Sequence, residues 1–111
     1  MSVEEKVLKR AEEIARKASA MASPIRVLVL AVIALRGEAR WHEIKEIMEE
    51  LVGPINPNTL AFHINRLVES GYVERAGPQR SPRYLARNVP PEVEGLLEDL
   101  GNALREVEEG G

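Results

Sequence analysis

Residues 56–75 read NPNTLAFHINRLVESGYVER. Asn56 followed by Pro57 has the form of a helix N-cap with proline at the first helical position, and Leu60, Ile64, Leu67 and Val68 recur at the spacing of one helical stripe. A helix is predicted over 57–70. Gly71 supplies the left-handed residue that ends it, and the β-capable run YVERA at 72–76 follows at once. Burying the stripe at 3.6 residues per turn points Asn58, Phe62, Asn65, Arg66 and Glu69 outward, with Thr59 and Ala61 flanking them.

Downstream, GPQRSP at 77–82 separates YVERA from RYLAR at 83–87, which predicts a two-stranded hairpin with a stiff, basic tip. Residues 92–108 then place Val93, Leu97, Leu100, Leu104 and Val107 at alternating steps of four and three. Upstream, Gly53-Pro54 ends an amphipathic helix over 42–52 with Ile44, Ile47, Met48 and Leu51 on its buried side. Residues 38–41 form a connector with the makings of a short strand. Before it, Ser23-Pro24 opens and Gly37 closes a helix over 24–36, whose core IRVLVLAVIAL is apolar on nearly every face apart from Arg26. Val3, Val7, Ala11, Ile14, Ala18 and Met21 mark a first helix over 2–22.

Composition narrows the classes of function. The 111 residues match one domain, 44% hydrophobic and 30% charged, and the most apolar run falls well short of the roughly 20 residues that span a bilayer. The start MSVEEKVLKR lacks the pattern of a secretory signal, so a cytoplasmic protein is expected, with no membrane partner. Without cysteine there is no disulfide, thiolate metal site or cysteine nucleophile. Eleven Arg to four Lys and a single Gln resemble thermophile usage. No phosphate loop, paired-carboxylate motif or nucleophile with a base at telling spacing is present, so no enzyme, cofactor or metal is expected. HEIKE at 42–46 lacks the second histidine of a zincin motif; His42 is expected to be solvated and His63 to pack partly buried.

The order helix, helix, short strand, helix, tight turn, helix, hairpin resembles a winged helix-turn-helix. TLAFHINRLVESGYVER at 59–75 is similar to the pattern x-L-x-x-H-L-x-x-L-x-x-x-G-L-V of the ArsR-, MarR- and HxlR-type bacterial and archaeal regulators, with Ile64 and Tyr72 as conservative replacements. The expected fold is mainly α with a small β-hairpin wing. A DNA-binding domain over 23–88 is flanked by dimerisation helices at 1–22 and 89–111. The resemblance implies a homodimeric regulator joined through its terminal helices. The seam expected from their stripes comprises Val7, Ile14, Ala18, Val93, Leu97, Leu100 and Leu104. An effector is conceivable between the dimer helices and the winged domains, but no residue names one.

The charge distribution suits nucleic acid better than the net charge of −3 suggests. Residues 54–87 carry five Arg against two Glu, whereas from residue 88 onward one Arg accompanies seven acids. The turn, helix and hairpin are therefore locally basic, as a double-stranded DNA partner requires. On the outward face, Asn pairs bidentately with adenine, Arg with guanine or phosphate, and a Phe ring or Thr methyl meets a thymine methyl. Candidate DNA contacts are Asn56, Asn58, Thr59, Phe62, Asn65 and Arg66 on the helix, and Gln79, Arg80 and Arg83 on the wing. Phe62 is equally suited to packing against Trp41 or a neighbouring helix. Trp41 is expected in the core, with a backbone contact alongside Arg40 as the other reading. The alternative function is a protein-interaction module of the transcription or replication machinery, which an apolar or acidic outward face would favour.

Overall fold

The computed structural model describes the backbone at residues 3–17 and 23–110 and the side chains at 4–12 and 23–107. Its elements are α1 (Val3–Lys17), α2 (Pro24–Arg36), β1 (Glu38–Arg40), α3 (Trp41–Val52), α4 (Pro57–Glu69), β2 (Val73–Ala76), β3 (Arg83–Ala86) and α5 (Pro91–Gly110). Five helices with a three-stranded antiparallel sheet make a mainly helical fold carrying a small β wing.

The most apolar segment becomes the centre. Val27 through Ile33 are all buried in α2, because α1, α3, α4, α5 and the sheet pack around it. Ser23 accepts the Arg26 backbone N–H on its hydroxyl, which fixes where this helix begins.

Helix α4 starts and stops as its residue types dictate. Asn56 Oδ1 accepts the backbone N–H groups of Asn58 (2.8 Å) and Thr59 (3.4 Å), satisfying donors that have no partner within the helix. At the other end Gly71 takes φ 82°, the Gly71 N–H donates to Val68 O, and the Tyr72 N–H donates to Leu67 O. This paired arrangement reverses the chain and delivers it directly into β2.

The sheet order is β1-β3-β2, so β3 is central. Ala39 pairs with Tyr84, and Arg75 pairs with Tyr84 from the other side. The predicted short strand over 38–41 thus becomes a third strand, which roots the hairpin between α2 and α3. Arg40 ties the hairpin tip down further, its Nη1 donating to the carbonyl (3.2 Å) and to the hydroxyl of Ser81.

The terminal helices pack within the chain. The expectation was an intermolecular seam, yet α1 and α5 pack against each other and against α2 within one chain. Val7, Val93 and Leu100 are buried there, so in this arrangement they present no surface to a second copy. The buried stripe of α5 is Val93, Leu96, Leu100 and Ala103, while Leu97 and Leu104 lie partly buried on its flank. The physical reason is that α5 lies over two helices at once, and the small Ala103 permits close approach. Asp99 reinforces the α1–α5 contact through Arg10 (3.5 Å) and Lys6 (3.9 Å). The Ile14 side chain and Ala18 lie outside the described residues.

Candidate nucleic-acid interface

Helix α4 buries Leu60, His63, Ile64 and Leu67 and leaves Asn58, Thr59, Phe62, Asn65 and Arg66 exposed. The stripe is rotated slightly from the one expected, with His63 replacing Val68 among the buried positions. This small rotation carries His63 towards α2, where Arg26 Nε donates to its Nδ1 at 3.3 Å. Burial, followed by the Arg26 charge, pushes the His63 pKa below its ordinary value. A neutral imidazole that accepts at Nδ1 carries its proton on Nε2. His63 is thus packed and partnered, as expected of it, and among the described residues no group of His, Asp and Glu side chains is arranged to hold a metal.

Between α4 and the hairpin lies an open cleft. Its lining includes Trp41, Asn58, Asn65, Arg75, Gln79 and Arg80. Four of the expected contact residues, Asn58 and Asn65 from the helix and Gln79 and Arg80 from the wing, therefore meet at one place. Small Ala61 lies between the two helix positions, and Ile64 and Tyr84 also contribute to the wall. None of these four side chains forms a hydrogen bond or ion pair with another described residue. Their hydrogen-bonding capacity is unspent.

The other expected residues are placed differently. The Asn56 side-chain oxygen is used by the helix cap. Arg83 pairs with Glu38 at 3.1 Å, both groups being about half exposed, and does not line the cleft. Thr59, Phe62 and Arg66 occupy the flank of α4 away from the hairpin. There Arg66 lies 3.6 Å from Glu69 and its guanidinium 5.4 Å from the Phe62 ring centroid. Phe62 is 51% exposed, which removes the packed-core reading of this ring. It touches His63 edge-on, with centroids 5.7 Å apart.

Arg75 and Arg26 were not foreseen on this surface, and Trp41 was given a backbone contact only as its second reading. Arg75 turns its guanidinium over the Tyr84 ring (5.8 Å) and donates to the Tyr84 hydroxyl (3.3 Å), at the cleft wall. Trp41, expected in the core, is partly buried against it and also lines the cleft. Arg26 reaches the far flank of α4 from α2, with its guanidinium 5.7 Å from the Phe62 centroid. A signal for Arg26 existed: a cation interrupting an otherwise apolar run has to leave the core somewhere, and its head marks the place.

The helix start beside the hairpin is held electrostatically as well. Glu43 accepts the Arg40 backbone N–H (2.9 Å) and Arg36 Nη2 (3.1 Å), and these bonds, in that order, hold its carboxyl below the usual carboxylate value. Comparison with protein-family models, with curated proteins and with solved structures gave no match. Among the described residues, no helix is long and apolar enough to cross a membrane.

Proposed function

We propose that the protein is a sequence-specific, double-stranded DNA-binding transcriptional regulator acting as a homodimer. Helix α4 enters the major groove, and the hairpin tip meets the phosphate backbone or the adjacent minor groove. One observation carries the reading. Among the described residues Arg80 is the one arginine with no hydrogen bond, ion pair or ring contact, and it shares a cleft with three unpartnered carboxamides, Asn58, Asn65 and Gln79. Exposed polar groups with unspent donors and acceptors beside an unpaired cation are what base edges next to a phosphate strand call for. A solvated surface helix would instead carry the Lys and Glu found on α3.

The homodimer would rest on the part of the expected seam that the chain leaves partly uncovered, Leu97 and Leu104, together with Leu35. Leu35 is exposed next to Gly101, while Leu97 and Leu104 remain half-buried on the same helix, so a second copy laid along this strip would cover all three. Two α4 helices would then meet half-sites about one helical turn apart on a roughly palindromic operator. The protein-interaction reading is favoured by one feature, the half-exposed Phe62 ring. Against it, Arg26 and Arg66 both approach that ring, and the face is poor in acids and other apolar groups.

Genomic selection with the purified protein tests the proposal. Enrichment of a duplex with two inverted half-sites is the expected result. Recovery of no preferred duplex, together with a salt-independent affinity for random DNA, would leave α4 without a reading role.

A further inference from the structure

Seven residues along an α-helix fall within about 20° of two full turns, so side chains at that spacing point nearly the same way, about 10.5 Å apart along the axis. Asn58 and Asn65 of α4 stand in this relation, both exposed and both in the wall of the cleft beside the hairpin. A duplex advances about 3.4 Å per base pair along its axis, and further along the winding path of the major groove. Two carboxamides on a groove-bound helix at this spacing therefore face base edges about two to three pairs apart. We propose that Asn58 and Asn65 each read an adenine, which gives the half-site two A·T pairs at that separation. The inference rests on the DNA-binding reading and specifies the sequence that α4 selects.

The chemistry of the site selects adenine. A carboxamide offers a donor and an acceptor side by side, which match adenine N7 and N6; in the same groove guanine presents two acceptors, cytosine a lone donor and thymine a lone acceptor. Neither asparagine is committed elsewhere, since no other described residue bonds to either side chain. A guanine reader would need an available guanidinium or ammonium. The one arginine of α4, Arg66, lies 3.6 Å from Glu69 and beside the Phe62 ring, on the flank away from the cleft. At the cleft itself Arg75 is turned onto the Tyr84 ring and hydroxyl, Arg80 belongs to the hairpin tip, and among the described residues no lysine contributes to the wall. Reach agrees with this assignment. Asparagine has a single methylene, so the helix backbone must come close to the base, and Ala61, partly buried between the two positions, adds no bulk to hold it off. The thymine of an A·T pair also carries a methyl group in that groove, and the exposed Phe62 ring lies only about 40° round the helix from Asn58.

The test uses the duplex selected by the unmodified protein, with 7-deazaadenine replacing its adenines one at a time. That base keeps Watson–Crick pairing and loses only the N7 acceptor. For the unmodified protein, affinity should fall about tenfold at two positions two to three pairs apart in each half-site and hold at the others. Asn58→Ala and Asn65→Ala should each melt like the unmodified protein, because neither side chain has a partner within the chain, and each should become indifferent to 7-deazaadenine at one of the two positions. Guanine or no preference at those positions overturns the inference. So does tolerance of 7-deazaadenine throughout by the unmodified protein, a result that needs no variant to fold, and so does loss of sensitivity at one shared position in both variants. In each of these cases the DNA-binding reading stands if Arg80→Ala still lowers the slope of log K against log salt. Recovery of no preferred duplex, with binding to random DNA unchanged in all three variants, overturns both.

Discussion

Truncating Phe62 to alanine should lower stability modestly and DNA recognition sharply, and the exposure of the ring sets both magnitudes. A fully buried aromatic side chain removes about 150–250 Å² from water, so a ring that is 51% exposed removes about 100 Å². At about 25 cal/mol per Å² that is worth about 2.5 kcal/mol, an upper bound because the unfolded chain already hides part of the surface. A loss of about 2 kcal/mol is expected, against about 3–5 for truncating a core phenylalanine. In a domain of this size that lowers the melting temperature by about 8 °C. On the selected duplex, loss of an apolar contact with a thymine methyl should weaken binding about tenfold, with a much smaller change on random DNA at the same salt. Melting curves and anisotropy titrations at fixed ionic strength, below the variant's transition, read both quantities. Phe62→Leu should recover most of the stability, since cation–π contacts at exposed sites contribute only about 0.5–1 kcal/mol each. A stability loss above about 4 kcal/mol with undiminished binding by the folded fraction would refute the reasoning, because the ring would then be acting as core.

Four further outcomes are expected. Arg80→Ala should reduce the salt slope by about 0.9 on matched and random duplexes alike, and Arg83→Ala by less, because Arg83 must first give up Glu38; equal effects would show that this ion pair does not restrain it. Asn65→Ala should cost about tenfold on the selected duplex and relax a single base position, as read by titration of a set of single-substitution duplexes. Leu100→Ala should destabilise by about 2–5 kcal/mol with a melting temperature independent of protein concentration, since its site is filled by the same chain, whereas a strong concentration dependence would return it to an intermolecular seam. His63 has a folded-state pKa below its ordinary 6.5, so just beneath that value the unfolded chain binds more protons than the folded one. Its contribution is therefore complete above about pH 6.5 and is lost as the pH falls towards the folded-state value; melting curves from pH 7.5 downward should show the decline, and His63→Gln should remove that component.

What could be read from the chain divides along the range of the interactions concerned. Caps and stops are set by neighbours a few residues apart, so the start of α2 at Pro24, the start of α4 at Pro57 and the reversal at Gly71 all follow from Ser23, Asn56 and a glycine at the right place. The third strand was only half legible. A run of EAR can be recognised as β-capable, but its pairing with residues 83–85 is a contact across more than forty positions that no local pattern encodes. The terminal helices show the same limit more sharply. A heptad spacing says that one side of α5 is buried and is silent on what buries it, and the chain itself supplies α1 and α2.

The site divides in the same way. Periodicity placed Asn58 and Asn65 on the outward side of α4, and composition marked Gln79 and Arg80 on the tip; the structure adds that these four face one another across a single cleft. Periodicity cannot distinguish an arginine that is available from one already paired. Arg80 and Arg83 look equivalent in GPQRSPR, yet Arg83 shares a face of β3 with Leu85, whose register partner on β1 is Glu38, and pairs diagonally with that carboxylate. The identity of the third strand thus decides which wing arginine is left for a partner. Arg26, too, is visible in the local sequence only as an interruption in an apolar run. Once α2 and α4 are packed, that interruption becomes a cation aimed past His63 at the outer edge of the helix proposed to read DNA. A helix that is buried over seven consecutive residues can release a charge only towards its ends, and at the N-terminal end Arg26 emerges beside α4.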